Sequence, residues 1–479
     1  MDAIDSEEIT ERDPLTGRAA GGRVGDLHWR LDPSGVITHP DGTPYTVPEL
    51  RRLGDGVDRL GQRSAAEVDT EDIDLGQGAT WLRPDRDALF DRLRAEAPVS
   101  RQRGIPFLAG TAEVDWWAVT THADVTHVSR QPELFASGRG GSNIGDIPDE
   151  LAEFLGSIIN LDAPRHTKLR RLISSGFTPR QVASLDDAVR TRAAAIVDAI
   201  AERGECEVVT DIAAPLPLGV ICDMMGIPAE DEQRMFDLSN VILGFGDPEY
   251  VTGVSDLVNA GMELFQYGLA VAEARRAEPR DDIATALVHA EVDGEQLTPA
   301  EIGSFFVLLV AAGNETTRTA ISHGVLALSQ HPEQRQRWLA DLEGIAPSAV
   351  EEIVRWASPV IHFRRTATAD TELGGQRIAE GDRVVMLYLA ANRDPAAFEA
   401  PHTFDVTRQP NSHVGFGAGG PHFCLGANLA RREIRVMFTE LLGRLPDLTV
   451  TDEPERLRSA FINGIKRMPA TFTPSAAPS

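Results

Sequence analysis

Apolar residues recur at three- and four-residue spacings over most of the chain, the signature of helices with one buried face. These patterns predict helices over 84–96, 149–158, 179–202, 216–226, 229–243, 253–276, 299–330, 348–357 and 425–444. Strand-like runs are few and short: Trp116 to Thr120, Asp382 to Leu389 and the segment 459–473. No strand–helix alternation of doubly wound length appears, so the predicted class is mainly α with small β sheets. The first seventy residues break the pattern. They are rich in Asp, Glu, Gly and Arg, with turn signals at Asp32-Pro-Ser-Gly and Pro40-Asp-Gly-Thr. Residues 1–70 therefore read as an acidic extension, partly disordered or carrying a small hairpin over 27–47, where Trp29, Val36, Ile37, Tyr45 and Val47 are strand formers. Residues 71–475 read as one domain and 476–479 as a frayed tail.

Composition narrows the partners. The chain has 479 residues, 42% hydrophobic, which suffices for a large core. Its 73 acidic against 46 basic residues give a net charge of −27, a poor match to nucleic acid or an anionic membrane. Three cysteines, Cys206, Cys222 and Cys424, make no disulfide framework and suit a reducing cytoplasm. The opening MDAIDSEEITERD has neither a basic nor an apolar region, and the most apolar run, Phe305 to Gly313, is far short of the ~20 residues of a membrane span. A soluble, cytoplasmic monomer without a membrane anchor is expected.

Chemistry concentrates in one segment, His413-Val-Gly-Phe-Gly-Ala-Gly-Gly-Pro-His-Phe-Cys-Leu-Gly-Ala-Asn-Leu-Ala-Arg-Arg. A glycine-rich loop brings backbone close to something bulky, and a cysteine then precedes a helix whose N-terminal dipole favours thiolate over thiol. Two plainer readings compete. An isolated cysteine is most often a buried structural one, and Gly415-x-Gly417-x-x-Gly420 has the spacing of a dinucleotide fingerprint, though no buried strand precedes it. The segment resembles the haem-binding loop of the cytochromes P450, with Gly420-x-His422-x-Cys424-x-Gly426 matching its second half. In that family a cysteine thiolate is the axial haem ligand, which assigns Cys424 to the iron and Phe416, Gly417 and Gly426 to the haem surroundings. Phe416 lies eight residues before Cys424 where the family has seven, so one extra residue must be accommodated within Gly417 to Gly420.

Upstream, Thr298-Pro-Ala-Glu301 is a capping box with proline at the first helical position, opening a helix of roughly 48 Å that ends near Gln330. Its middle carries Ala312-Gly313-Asn314-Glu315-Thr316-Thr317. A mid-helix glycine costs ~1 kcal/mol relative to alanine, and an acid–alcohol pair in an apolar run needs a reason; threonine bonding back to a carbonyl is the plainest. The resemblance implies another: Ala312 and Gly313 make room above the haem, Thr316 hydrogen-bonds bound oxygen, and Glu315 connects the site to solvent protons. The same resemblance makes Glu352, Arg355 and Arg408 a buried structural cluster, with Pro347-Ser348 read as a further capping box ahead of it. It places His166, Arg170, Arg365 and His422 on the haem propionates, with Arg364 as the alternative to Arg365. Phe305, Leu308, Ala312, Val360, Ile361, Phe461 and Ile462 are candidate substrate contacts, and an apolar substrate follows. Gly138-Arg-Gly-Gly-Ser-Asn-Ile-Gly reads as a flexible cap and Leu243-Gly-Phe-Gly-Asp-Pro as a lid hinge.

Within the family the chain is most similar to the methyl-branched lipid ω-hydroxylases, through Gly156-Ser-Ile-Ile-Asn-Leu-Asp-Ala-Pro-Arg-His, Ile221-Cys-Asp-Met-Met-Gly-Ile-Pro, Asn240-Val-Ile-Leu-Gly-Phe-Gly-Asp-Pro and Ala427-Asn-Leu-Ala-Arg-Arg-Glu-Ile-Arg-Val. The resemblance implies the P450 fold, with a long central helix over haem b. It also implies monooxygenase chemistry, with electrons from NAD(P)H through a ferredoxin reductase and a ferredoxin. The ferredoxin is expected on a basic patch of Lys168, Arg170, Arg171, Arg431 and Arg432. The substrate expected is a methyl-branched lipid or sterol-like chain hydroxylated at its end, the alternative being a polyketide, terpenoid or steroid product. A haem-thiolate sensor would not need Glu315 and Thr316.

Overall fold

The computed structural model describes residues 7–12, 19–24, 27–31, 37–38, 65, 68–108, 111, 113–147, 157–174, 185–280, 282–292 and 294–475. Twelve helices carry the architecture: α1 Arg86–Glu96, α2 His122–Arg130, α3 Arg165–Ser174, α4 Asp186–Ala201, α5 Pro215–Met225, α6 Glu232–Leu243, α7 Val254–Ala277, α8 Ile283–His289, α9 Pro299–Gln330, α10 Pro332–Ala340, α11 Leu342–Ala357 and α12 Ala427–Arg444. The mainly α class with small sheets is what the periodicity predicts.

The spine is α9. Its capping box forms as the sequence requires: Thr298 Oγ1 accepts the Glu301 N–H at 3.2 Å, and Glu301 Oε2 accepts the Thr298 N–H at 2.9 Å. Helices α5, α6, α7, α11 and α12 pack around it, so 23 of its 32 residues are buried. The core they share runs from Leu169 and Val197 through Val310 and Ile321 to Ile353 and Phe438. A five-stranded sheet flanks this bundle, in the order Val99–Arg103, Asp115–Val119, Arg383–Leu387, His362–Ala367, Phe135–Ala136. Three smaller strands, Thr449–Val450, Pro469–Thr471 and Glu205–Glu207, tie the end of the domain back to α4.

Several expectations change in detail. Helix α11 starts at Leu342, five residues before Pro347, because the Asp341 carboxylate accepts the Gly344 N–H at 2.9 Å and nucleates the turn earlier. Ser348 is therefore no cap; its hydroxyl donates to the Ile345 and Val406 carbonyls at 3.0 and 2.7 Å. The segment Gly138 to Gly145 is held rather than loose. Arg364 donates to the Asp146 carboxylate at 2.6 Å and to the Ile144 carbonyl at 3.2 Å, and Asp162 accepts the Ser137 and Gly138 N–H groups at 2.8 Å. Of the helix expected at 149–158, residues 148–156 lie outside the described residues, and a 3-10 turn, Ile158–Asn160, follows.

Near the N-terminus the strands Glu7–Arg12, Ala19–Val24, Leu27–Leu31 and Ile37–Thr38 pair antiparallel in that order. The first half of the expected hairpin is thus the pairing of Leu31 with Ile37; residues 39–47 and the tail 476–479 lie outside the described residues. One helical stretch among the described residues, Val208–Met225, has the length and hydropathy of a membrane span, and 78% of it is buried inside the protein.

Candidate active site

An apolar cavity lies between α9 and the glycine-rich loop that precedes α12. From α9 it receives Phe305, Leu308, Ala312, Gly313, Thr316 and Thr317. From the loop it receives Phe416, Gly417, His422, Cys424 and Gly426. Arg170 on α3, Val360, Phe363 and Arg365 on the sheet side, and Leu429 and Glu433 on α12 complete the wall.

Backbone bonds close the longer loop between Phe416 and Cys424. Cys424 N–H donates to the Phe416 carbonyl at 2.9 Å and Gly417 N–H to that of Val414 at 2.8 Å, so both ends of the excursion are closed by backbone bonds. The last turn of α2 clamps its tip: Ser129 Oγ donates to the Gly419 carbonyl at 2.8 Å and Arg130 Nε to that of Ala418 at 3.2 Å. Gly420 has to be glycine here, with φ +78° and a Cβ that would sit 2.2 Å from the Ser129 carbonyl. Phe416 consequently keeps its place on the cavity wall despite the insertion.

Cys424 is exposed, but into the cavity rather than to bulk water. Burial pushes its thiol up, while the Gly426 N–H and the Arg170 and Arg431 guanidinium groups pull it down. Cys206 and Cys222, by contrast, are buried in the core and their thiols are pushed up to about 12 by burial. Across the cavity, Thr316 Oγ1 donates to the Ala312 carbonyl at 2.8 Å, so the back-bonding geometry is real and the hydroxyl still faces the cavity. Gly313 has a packing reason as well: a Cβ there would meet Ile221 at 2.6 Å.

Four cationic or imidazole side chains gather at one end. Arg170, Arg365 and His422 line the cavity, and His166, 2% exposed, stacks on His422 with ring centroids 4.2 Å apart. None of the four pairs with a carboxylate among the described residues, and His166 Nε2 is buried with no hydrogen-bond partner. Burial, Arg365, His166 and Arg170 together hold the His422 imidazole down to about 2. Clustered, desolvated donors of this kind are costly unless an anion completes them, and a group with two carboxylates fits. Arg364 is not part of the set; its guanidinium is consumed by Asp146 and the carbonyls of the 139–144 loop.

Some expected residues do not reach the cavity. Glu315, 1% exposed, turns to an ion pair with Arg318, which also donates to Asn240 Oδ1 on α6 at 2.8 Å. Ile361, ahead of the strand, is fully buried in the opposite core with Trp81 and Val385, while Val360 and Phe363 line the cavity. Phe461 backs Phe363 at 5.5 Å instead of lining the wall, and Ile462 is 1% exposed, paired to Val360 in a β-bridge. Glu352, Arg355 and Arg408 meet behind the loop: Arg355 grips Glu352 at 2.7 and 2.8 Å, Arg408 Nε reaches it at 3.1 Å, and Glu352 and Arg355 are fully buried.

Sequence reading missed Phe363, Tyr388 and Glu433 on the wall. Phe363 was recoverable, lying two residues from Arg365 on one strand. Glu433 had a signal too, a carboxylate between Leu429 and Met437 on the buried face of α12. Burial raises its carboxyl to about 8, with a hydrogen bond from Thr317 working the other way, so it is neutral in the fold at pH 7.

The cytochrome P450 family model matches residues 118–459. A methyl-branched lipid omega-hydroxylase of Mycobacterium tuberculosis is 52% identical over 412 residues, 85% of this chain and 96% of that protein. A steroid C26-monooxygenase of Rhodococcus jostii is 45% identical over 387 residues, 80% and 81% of the two chains. The solved structure of a Mycobacterium marinum cytochrome P450 in complex with pseudoionone superposes with a TM-score of 0.80 at 44% identity, covering 84% of this chain and 98% of that one. With a cysteine loop, a long helix and a cluster of cationic and imidazole side chains around this cavity, the chain belongs to the cytochrome P450 family of haem-thiolate monooxygenases.

Proposed function

We propose that the protein hydroxylates the end of an apolar chain, a methyl-branched lipid or a sterol-like side chain. The observation that carries this is the cavity wall above the loop. Phe305, Leu308, Ala312, Val360 and Phe363 are apolar, the cationic and imidazole groups are gathered together, and burial raises the Glu433 carboxyl to about 8. The names of the two curated relatives, a methyl-branched lipid omega-hydroxylase and a steroid C26-monooxygenase, support the same class.

In this reading Cys424 would hold the haem iron and Arg170, Arg365, His166 and His422 would hold the propionates; haem b, when bound, would supply the oxygen activation and C–H insertion. The chain supplies the rest. Thr316 presents a hydroxyl to the cavity opposite Cys424, and Glu315 is its proton source. Glu315 sits off the wall, ion-paired with Arg318 and with Oε1 unpartnered, so it would relay a proton rather than hold one: it would leave Arg318, take a proton from solvent and pass it toward Thr316. Terminal C–H bonds are the strongest in a chain, so the wall must hold weaker internal bonds away; a misplacement of ~1 Å can cost about a hundredfold. Electrons come from NAD(P)H through a ferredoxin reductase and a ferredoxin, and the enzyme works in the cytoplasm as a monomer.

Titrating the haem-loaded protein with a phytanic-type acid, cholestenone and a macrolactone, and following the low-to-high-spin shift, tests the substrate class. The first two should bind tightly. Tight binding of the macrolactone alone contradicts the lipid reading and leaves the family chemistry intact.

A further inference from the structure

The loop that carries Cys424 is held from behind by one carboxylate, Glu351 on α11. Glu351 accepts Arg431 Nε at 2.6 Å and Nη2 at 3.0 Å, a bidentate fork, and His413 Nε2 at 3.0 Å. His413 Nδ1 accepts the Gly415 N–H at 3.1 Å, which ties the same carboxylate to the start of the glycine-rich loop. The Arg431 guanidinium, on the first turn of α12, lies 4.4 Å over the Phe416 ring centroid, within cation–π range. Phe416 is in turn bonded through its carbonyl to the Cys424 N–H at 2.9 Å. A permanent positive charge is therefore fixed against the ring that shares the cavity wall with the cysteine.

Arg431 is spent in this arrangement. Its side chain is 33% exposed, its fork is satisfied by Glu351, and its flat face is covered by Phe416, so little of it is left for a partner protein. Its charge lies behind the Phe416 ring, on the residue whose carbonyl holds the Cys424 N–H. Glu351 lies on the far side of the guanidinium; its carboxyl, against the pull of burial, is held down to about 2 by His413 and Arg431.

We propose that Arg431, pinned by Glu351 and stacked on Phe416, is a positioning residue that sets the charge at the Cys424 sulfur and through it the reduction potential of the iron. This rests on Cys424 being the axial ligand. A positive charge beside a thiolate draws electron density from the sulfur, weakens its donation and favours the ferrous state; charge and hydrogen bonds around a ligand sulfur are levers on potential. Glu351 offsets part of that charge, so Arg431 and Glu351 pull the potential in opposite directions.

Spectroelectrochemical titration of the haem-loaded enzyme tests this. Arg431→Met should lower the ferrous-to-ferric ratio at fixed applied potential by on the order of tenfold, ~59 mV for one electron. Glu351→Gln should raise the potential, because the guanidinium loses its counter-charge while the amide oxygen still anchors it. Arg431→Lys keeps the charge but loses the flat stack and the fork, and should fall between Met and the parent; it carries the test if the Met variant takes up no haem. A clamp with no electrostatic role would loosen the loop alike from either side, so shifts of the same sign in the Arg431 and Glu351 variants, or no shifts, overturn the proposal. The ferrous CO spectrum of the unsubstituted enzyme separates the two levels. A thiolate-type band with unmoved potentials removes the role of Arg431 alone; no such band removes the ligand assignment and this proposal with it.

Discussion

Arg364 and Arg365 are neighbours on one strand, and their fates show how a single step of pleat decides chemistry. Arg365 faces the cavity with no carboxylate partner among the described residues, whereas Arg364 faces the 139–146 loop and is consumed there. Both were legible as candidates, and only the side of the strand separates them. Glu433 was passed over for a different reason: its place between Leu429 and Met437 was a signal, but charged residues are expected outside, and its burial depends on α9 passing over α12 at Thr317, a tertiary fact. That burial has a measurable consequence. The unfolded carboxyl titrates near 4.5 and the folded one near 8, so between those values the folded state binds more protons than the unfolded. Stability should fall as pH rises through that window, at up to about 1.36 kcal/mol per unit for this one group. Glu433→Gln mimics the neutral acid and should remove this slope, so that it is more stable than the parent at pH 8 and about equal at pH 5. Chemical denaturation at the two pH values checks it; an unchanged pH slope would mean Glu433 is already ionised in the fold.

At the scale of elements, α9 was readable to its ends because its caps, proline and apolar run all lie within the segment itself. The start of α11 was not, since Pro347 looked like a first-turn residue and the Asp341 cap lies six residues earlier. The strand His362–Ala367 was missed because its two arginines hide an inward face that only the sheet reveals. The domain's N-terminal edge shows the same dependence on context. Among the described residues, contacts with α1 and its cap begin at Ala65, which is 5% exposed and donates its N–H to Asp85 at 2.7 Å, while Arg92 donates to the Ala65 carbonyl at 2.9 Å and to that of Val68. A chain starting at Ser64 should match the full-length protein in thermal stability. One starting at Glu71 should still fold and bind haem but lose about 1–3 kcal/mol with these buried bonds. Soret-monitored melting distinguishes the two, and equal melting of both would mean the Ala65 contacts contribute nothing.

Over the whole molecule the net charge of −27 would repel an acidic ferredoxin, so docking depends on local cations around the cysteine side. Most of the expected patch is already paired: Lys168 with Glu295, Arg431 with Glu351, Arg432 with Asp186. Arg171 on α3 is exposed and makes no ion pair among the described residues. Arg171→Glu should therefore slow reduction by an acidic ferredoxin at low salt more than Arg432→Glu does, and the difference should shrink as salt rises. Equal, salt-independent rates would contradict docking on this face. The account as a whole stands on one bond, from Cys424 to the iron. The ferrous CO complex of the purified protein should show the red-shifted Soret band of a thiolate ligand, and Cys424→Ser should lose that band while Cys206→Ser and Cys222→Ser keep it. Retention of the band in Cys424→Ser, or its loss in either of the other two, would contradict the central claim.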